Sequence, residues 1–482
     1  MGEDFEKFIK LVSEYNPNGV ETISKAYAFA KYYHEGQMRE SGEPYIIHPL
    51  AVAMTLAEMQ ADSDTICAGL LHDVLEDCKE KGATKELIEK EFNPKVAELV
   101  DGVTNLTKAD FESKEEAAQA NKDKIINGLA KDPRIIIIKL ADRLHNINTL
   151  QYRTPEKQKK KAKETLEFYS RLARYIGAEK IRRTLEDMSF KFLHPKEYEE
   201  TERRIRDYYQ EHRFVIGGMV AKIRSKLKEG KIPFKIRFRV KNIYSVYVAL
   251  SKGESLENLH DLFAIKILTS NDIDCFTAQY WAHTACVPMN RHMRDYINNA
   301  KPNMYQSLHS VIFGPKSIIV QLQIRTTEME EINTNGLAAF WKLAAKNPEK
   351  SMQSSLSSKY GYVQAKENLT GVFNDALFAQ TIQQNAIDET ISIYDESGHM
   401  IEIPKGATLI DFAYSRGEEV AKRLLGGFIN GQQVDRTTTI CMDDHVTLLL
   451  SEYEQGPNES WLSSATTVAA QRMIRLSLGK RE

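Results

Sequence analysis

The segment Leu70-Leu71-His72-Asp73-Val74-Leu75-Glu76-Asp77 constrains this chain more than any other, because it sets four metal- or proton-handling side chains behind an apolar run. At 3.6 residues per turn it reads as one helical patch, with His72 one turn from Glu76 and Asp73 one turn from Asp77. His48 stands upstream in Tyr45-Ile46-Ile47-His48-Pro49, and Asp142 downstream in Lys139-Leu140-Ala141-Asp142-Arg143-Leu144-His145-Asn146. A fold that unites His48, His72, Asp73 and Asp142 must close three distant segments on one centre. Two imidazoles with two carboxylates suit manganese, iron or zinc better than calcium or magnesium. Such an ion lowers the pKa of a bound water and neutralises charge on an attacked phosphate, and Glu76 and Asp77 stand one turn on to orient or deprotonate that water. Taken singly, His72-Asp73 is an ordinary helix-surface dipeptide, His48 a core histidine and Asp142-Arg143 an ion pair. Together and in this order they form a metallophosphohydrolase pattern.

With 482 residues the chain exceeds the usual size of one domain, and three are expected. Its 42% hydrophobic and 27% charged residues describe ordinary soluble globular structure. A net charge of −2 argues against a generally basic nucleic-acid-binding surface, and the run Lys157-Gln158-Lys159-Lys160-Lys161 reads as a solvated helix face. The five cysteines (Cys67, Cys78, Cys275, Cys286, Cys441) lack CxxC spacing, so neither a disulfide framework nor a cysteine zinc site is expected. No apolar stretch approaches membrane-spanning length and the first ten residues are charged, so a cytoplasmic protein without a membrane partner is expected.

Apolar residues at three- and four-residue spacing predict a mostly helical region from residue 3 to about 192. The run Ile135-Ile136-Ile137-Ile138 has strand-favouring residues, yet Leu140, Leu144 and Ile147 continue one buried helical face, and a helix is expected. Beyond a break at Phe192-Leu193-His194-Pro195, a charged helix over 197–213 leads into strand-like runs at 234–240, 262–268, 311–313 and 318–324. Residues 347–358, rich in Ser, Lys and Pro, read as a linker followed by helix at 372–385. Short strands at 390–394, 400–403, 427–429 and 446–450 surround a helix at 409–414, and a helical tail starts near Trp461.

A family resemblance rests on these motifs. Arg39, Ser41-Gly42-Glu43-Pro44-Tyr45, His48-Pro49, Leu71-His72-Asp73, Glu76-Asp77, Asp101-Gly102-Val103-Thr104 and residues 139–146 resemble the HD hydrolase domain of the long RelA/SpoT-type (p)ppGpp synthetase/hydrolases. The resemblance implies one manganese ion on His48, His72, Asp73 and Asp142, Glu76 and Asp77 serving the water, and (p)ppGpp losing its 3′-pyrophosphate. It also places Arg39, Ser41, Tyr45, Asn146 and Thr149 around the nucleotide, the Arg39 guanidinium stacking on guanine. Glu40 replaces a basic residue frequent there, weakening phosphate contact.

Residues 197–345 resemble the family's synthetase domain through residues 239–245, His260-Asp261-Leu262, Asp295-Tyr296-Ile297, Lys301, Asn303, Tyr305-Gln306-Ser307-Leu308-His309 and Gln323-Ile324-Arg325-Thr326. The family's magnesium-holding Asp is present as Asp261, but its Glu is Gln321, and an amide offers no negative charge. Val248, Ala249, Met304 and Phe340 are further departures, so the site is read as degenerate, with Tyr305 and His309 left as a candidate regulatory nucleotide pocket or as core residues. The last small domain resembles a ubiquitin-like TGS domain. There Arg416-Gly417-Glu418 replaces an Ile-His-Thr run, which weighs against a tRNA or ribosome partner. The expected architecture is therefore multidomain: an all-α HD-type hydrolase domain (1–195), an α/β nucleotidyltransferase-like pseudosynthetase domain (196–345), a linker with helices (346–388), a small ubiquitin-like α+β TGS domain (389–452) and a helical tail (453–482). A bifunctional enzyme and a non-catalytic alarmone sensor are the rival readings, and a regulatory nucleotide or protein is the expected further partner.

Overall fold

The structure is a computed structural model that describes residues 3–106, 113–289, 292–298, 305–346 and 390–479. It divides into two compact units, Met1–Ile297 with Tyr305–Ser355, and Asn298–Met304 with Leu356–Glu482. The linker at 347–358, the helix at 372–385 and Lys301, Asn303 and Met304 lie outside the described residues.

The first unit opens all-helical because its apolar residues repeat at helical spacing. Glu3–Tyr15 buries Phe5, Phe8 and Val12 on one face, and Val20–Tyr33 buries Ile23, Ala26, Ala30 and Tyr33. Helix Ser63–Leu71 is buried from Thr65 onward, and the Asp62 carboxylate caps it by accepting the Thr65 N–H. All four isoleucines at 135–138 are buried within helix Arg134–Asn148, which settles that run as helix.

The single helical patch expected over 70–77 is corrected. One helix ends at Leu71, the next spans Val74–Asp77, and His72 and Asp73 occupy the turn between them. The physical reason is local: His72 Nδ1 lies 2.8 Å from the Gly69 carbonyl oxygen, the acceptor that the Asp73 N–H needs to continue the helix. The second helix is then nucleated by Asp73, whose carbonyl accepts from the Glu76 and Asp77 N–H groups.

Helix Glu179–Leu193 ends before His194, and Pro195 at the first helical position starts a 35-residue helix, Pro195–Glu229, longer than the stretch read from sequence. It packs with helix Asp272–Ala285 around a five-stranded sheet. The strands are β1 (Lys235–Val240), β2 (Phe263–Thr269), β3 (Arg294–Asp295), β4 (Leu308–Phe313) and β5 (Ile319–Thr326), in the order β1-β2-β5-β4-β3. Only β2 and β5 run parallel, with Ala264 opposite Gln321. β2 is buried on both faces except at Lys266, as a strand covered on both sides must be.

The second unit pairs β6 (Thr390–Tyr394) with β7 (Met400–Pro404), and sets β8 (Leu424–Ile429) between β9 (Gln432–Asp435) and β10 (Val446–Leu450). Buried Asp411, on helix Leu409–Ser415, accepts backbone N–H groups from Thr408, Thr466 and Thr467, so one carboxylate ties the tail helix Val468–Ser477 to this domain. Strand β9 escaped the sequence reading because Gln432-Gln433-Val434-Asp435 is a largely exposed edge with no apolar alternation. No described helix is long and apolar enough to cross a membrane.

Candidate metal centre

Three segments converge as the sequence required. His48 comes from helix Ile47–Glu58, His72 and Asp73 from the turn after Leu71, and Asp142 from helix Arg134–Asn148. His48 Nε2 and His72 Nε2 lie 3.1 Å apart. Asp73 Oδ2 is 3.4 Å from the first and 3.1 Å from the second, and Asp142 Oδ1 is 3.3 and 3.8 Å from the same two atoms. With metal–ligand bonds of about 2.1 Å, neighbouring donors stand about 3.0 Å apart on an octahedron and about 3.4 Å on a tetrahedron, so His48, His72 and Asp73, 3.1–3.4 Å from one another, fit one cation, and Asp142 adds its carboxylate beside the two imidazoles.

Charge and tautomer fit it too. Burial pushes the His72 imidazole down, but Asp73 and Asp142 overcome it and raise His72 to about 10. Against their own burial, the two carboxyls are held well below the usual range by His72, His48 and, for Asp142, Lys139. The centre therefore favours positive charge between its carboxylates. His72 Nδ1 donates to the Gly69 carbonyl, and His48 Nδ1 lies 2.9 Å from His145 Nδ1. Assigned from these partners, both Nδ1 atoms carry a proton, so a cation taking the place of the proton that His72 Nε2 otherwise holds between the carboxylates would meet both Nε2 lone pairs.

Glu76 and Asp77 flank the centre with solvent access. Glu76 Oε2 accepts from the Asn105 backbone N–H at 3.2 Å and its side-chain amide at 2.9 Å. Burial and the Asp73 charge raise both carboxyls above their ordinary values, toward the range useful to a general base. Tyr45, expected at the nucleotide, places its hydroxyl 2.7 Å from Asp73 Oδ2 and 3.0 Å from Asp77 Oδ2, and its ring stacks on His34. One hydroxyl thus bridges the Asp73 and Asp77 carboxylates.

Of the other residues expected at the nucleotide, the structure brings three together. The Arg39 guanidinium donates to Asn146 Oδ1 at 3.2 Å and Thr149 Oγ1 at 3.3 Å, so its plane is fixed on the helix that carries Asp142. Ser41 stands apart, half-buried and bonded to Glu43. Glu40 pairs with Arg153 at 3.4 Å and Lys157 at 3.2 Å, neutralising two cations near the cleft. Two residues were missed. His145 Nδ1 accepts from Arg39 at 3.1 Å and meets His48, its pKa held down to about 3 by burial, His48 and Arg39. Buried Lys139 reaches Asp142 Oδ2 at 3.8 Å and Asn105 Oδ1 at 3.4 Å. Their signal was placement three residues to either side of Asp142, one turn of the same helix.

In the α/β domain, Asp261 stands in the turn before β2 and pairs with Lys241 at 2.7 Å. Gln321, on β5, accepts from the Gln323 amide. The Tyr305 hydroxyl lies 2.7 Å from His309 Nε2 and accepts from Arg325 at 2.8 Å, with the Arg325 guanidinium over the Tyr305 ring. Val248 and Ala249 lie on helix Ile243–Ser251, and Phe340 is buried. In the second unit, Glu418 and Glu419 both pair with Lys422, and Arg416 with Asp395.

Comparison with known proteins gives three family matches: an HD domain over residues 26–179, a region found in RelA / SpoT proteins over 238–347, and a TGS domain over 391–450. The chain is 36% identical to an Aquifex aeolicus protein named guanosine-3′,5′-bis(diphosphate) 3′-pyrophosphohydrolase, over all of this chain and 67% of that one. It is 36% identical to a Myxococcus xanthus GTP pyrophosphokinase, over 98% of this chain and 62% of that one. It is 33% identical to the Escherichia coli bifunctional (p)ppGpp synthase/hydrolase SpoT, over 98% of this chain and 67% of that one. The chain thus spans about two thirds of the length of these relatives.

Proposed function

Since the chain belongs to the long RelA/SpoT family, we propose that it hydrolyses the 3′-pyrophosphate of (p)ppGpp, releasing GDP or GTP and pyrophosphate, in a manganese-dependent reaction. The observation that carries this reading is the convergence of His48, His72, Asp73 and Asp142 beside the solvent-accessible carboxylates Glu76 and Asp77. When bound, the ion supplies charge neutralisation at the attacked phosphate and acidifies water.

The side chains divide the remaining work. Water attacks the phosphorus joined to the ribose 3′ oxygen, the P–O3′ bond breaks, and that oxygen takes up a proton as pyrophosphate leaves. Glu76, oriented through Asn105, is the group to accept the water's proton, and Asp77 holds its place through Tyr45. Arg39, fixed by Asn146 and Thr149, offers a flat cationic face for guanine. Neutral His145 holds Arg39 on one side and the His48 tautomer on the other.

The second domain is read as a synthetase without catalytic metal chemistry. Gln321 supplies no charge, and the Asp261 carboxylate is engaged by Lys241. A cytoplasmic location and a regulatory ligand for this domain belong to the same reading. Purified protein with ppGpp, with and without Mn2+, resolved by anion exchange, tests it. Equal turnover by wild type and Asp73→Ala would sink the hydrolase, and ppGpp made from ATP and GDP by the Asp73→Ala variant would favour the bifunctional alternative.

A further inference from the structure

Between the synthetase-like sheet and the hydrolase centre the chain makes a specific bridge. Helix Thr327–Asn335 ends at Gly336, whose backbone, at φ +58°, lies so near the helical domain that a Cβ there would sit 1.9 Å from the Ile176 carbonyl oxygen. Only glycine fits such an approach. The Leu337 N–H donates to the same Ile176 carbonyl at 3.0 Å. Ala338 lines one small cavity together with Met59, Ile137, Leu140, Ile176 and Ala178, of which Ile137 and Leu140 belong to the helix that carries Asp142.

Five residues after Gly336, the Trp341 indole N–H donates to Asp62 Oδ2 at 2.7 Å. Asp62 also caps the helix that ends at Leu71, just before His72, through the Thr65 N–H at 2.9 Å. It accepts as well from Arg134, at 3.3 Å, on the first residue of the Asp142 helix, and Asp132 holds that guanidinium from its other side at 2.8 Å. One carboxylate therefore receives donors from the His72 helix, the Asp142 helix and the α/β domain.

We propose that Trp341 is a positioning residue for the hydrolase: through Asp62 it fixes the spacing of the two helices that bring His72–Asp73 and Asp142 to the centre. The inference rests on the hydrolase reading for its rate consequence, not for its geometry. A nine-residue helix is about 13 Å long, so a tilt of about 5° at Asp62 moves its far end by about 1 Å. Displacement of that size costs up to about a hundredfold in rate.

The test uses the full chain and Trp341→Phe, which keeps an aromatic ring in the seam and removes the donor. Three quantities are read: Mn2+ affinity by electron paramagnetic resonance, hydrogen exchange of amides 66–72 in metal-free protein, and kcat and KM for ppGpp. Expected are a several-fold weaker Mn2+ Kd, faster exchange at 66–72 and a kcat lowered about tenfold with KM within twofold. Wild-type Mn2+ affinity and exchange in the variant overturn the proposal. If Trp341→Phe also lowers Tm, the cycle with Asp62→Asn decides: losses in Mn2+ affinity that add independently refute the link, and a double variant no worse than the poorer single one upholds it. Failure of wild type to hydrolyse ppGpp removes the functional reading alone, since affinity and exchange still report on Trp341.

Discussion

Replacing Tyr45 by Phe separates two roles that one hydroxyl cannot fill equally. In the structure the phenol donates to Asp73 Oδ2 at 2.7 Å and lies 3.0 Å from Asp77 Oδ2, while its ring stacks on His34 at 4.6 Å, a contact that Phe retains. A hydrogen bond to a charged acceptor contributes about 1.5–3 kcal/mol, and the lower end applies here because water reaches the cleft and can replace the hydroxyl. At about 1.4 kcal/mol per factor of ten, Mn2+ affinity should fall about tenfold. That agrees with the ~10–100-fold cost usual for groups that orient metal ligands. Mn2+ titration followed by electron paramagnetic resonance gives Kd, and steady-state turnover of ppGpp gives kcat and KM. A Kd within twofold of wild type combined with a raised KM would refute the reasoning, because it would place the hydroxyl on the nucleotide instead of on Asp73.

Glu76→Gln should keep Mn2+ affinity within a few-fold and lose about 10²–10⁴-fold in kcat, as expected for a lost general base; wild-type kcat would remove Glu76 from water activation. Glu40→Gln releases Arg153 and Lys157 from their ion pairs, so KM for ppGpp should drop up to a few-fold at low ionic strength and the gain should fade in high salt. An unchanged KM at low salt places those cations away from the substrate path. Asp132→Asn probes stability: burial raises this carboxyl, but Arg134 and Lys95 overcome it and hold it below its ordinary value. Its contribution is therefore present above the unfolded pKa of about 3.9 and lost as pH falls through the lower folded value. Urea melts should show the variant less stable by roughly 1–3 kcal/mol at neutral pH, with the gap closing below about pH 4; a gap independent of pH would deny the ion pair its role.

The residue types at the centre were legible because metal chemistry restricts them so tightly: two imidazoles and two carboxylates in order left few alternatives, and the structure brings all four together. The α/β strands were legible for a similar reason, since β2 is an apolar run broken only by Lys266, which a covered sheet accommodates, and β5 alternates apolar residues with Gln321, Gln323 and Arg325 at strand period. Residues whose role depends on a partner far along the chain were not legible. Tyr45 stood in the sequence as a nucleotide contact, and only the fold shows Asp73 and Asp77 at its hydroxyl. Trp341 drew no reading beyond standing next to Phe340, one of the departures from the synthetase pattern, and its partner is 279 residues away.

The helix break at His72–Asp73 shows why periodicity alone misplaces such a site. The apolar spacing of Leu70, Leu71, Val74 and Leu75 is helical throughout, and all four are buried, so hydrophobic pattern gives no sign of an interruption. What interrupts the helix is competition for one carbonyl, Gly69, between a backbone N–H and a ring nitrogen. The turn that results lets His72 and Asp73 turn their donor atoms onto one point, 3.1 Å apart, which consecutive residues of an unbroken helix, about 100° apart around the axis, do not readily do. The same bond fixes the His72 tautomer that leaves Nε2 free for a metal. A single side-chain contact thus sets the backbone, the ligand geometry and the protonation state together, and a sequence-pattern rule tied to any one of the three cannot see the other two.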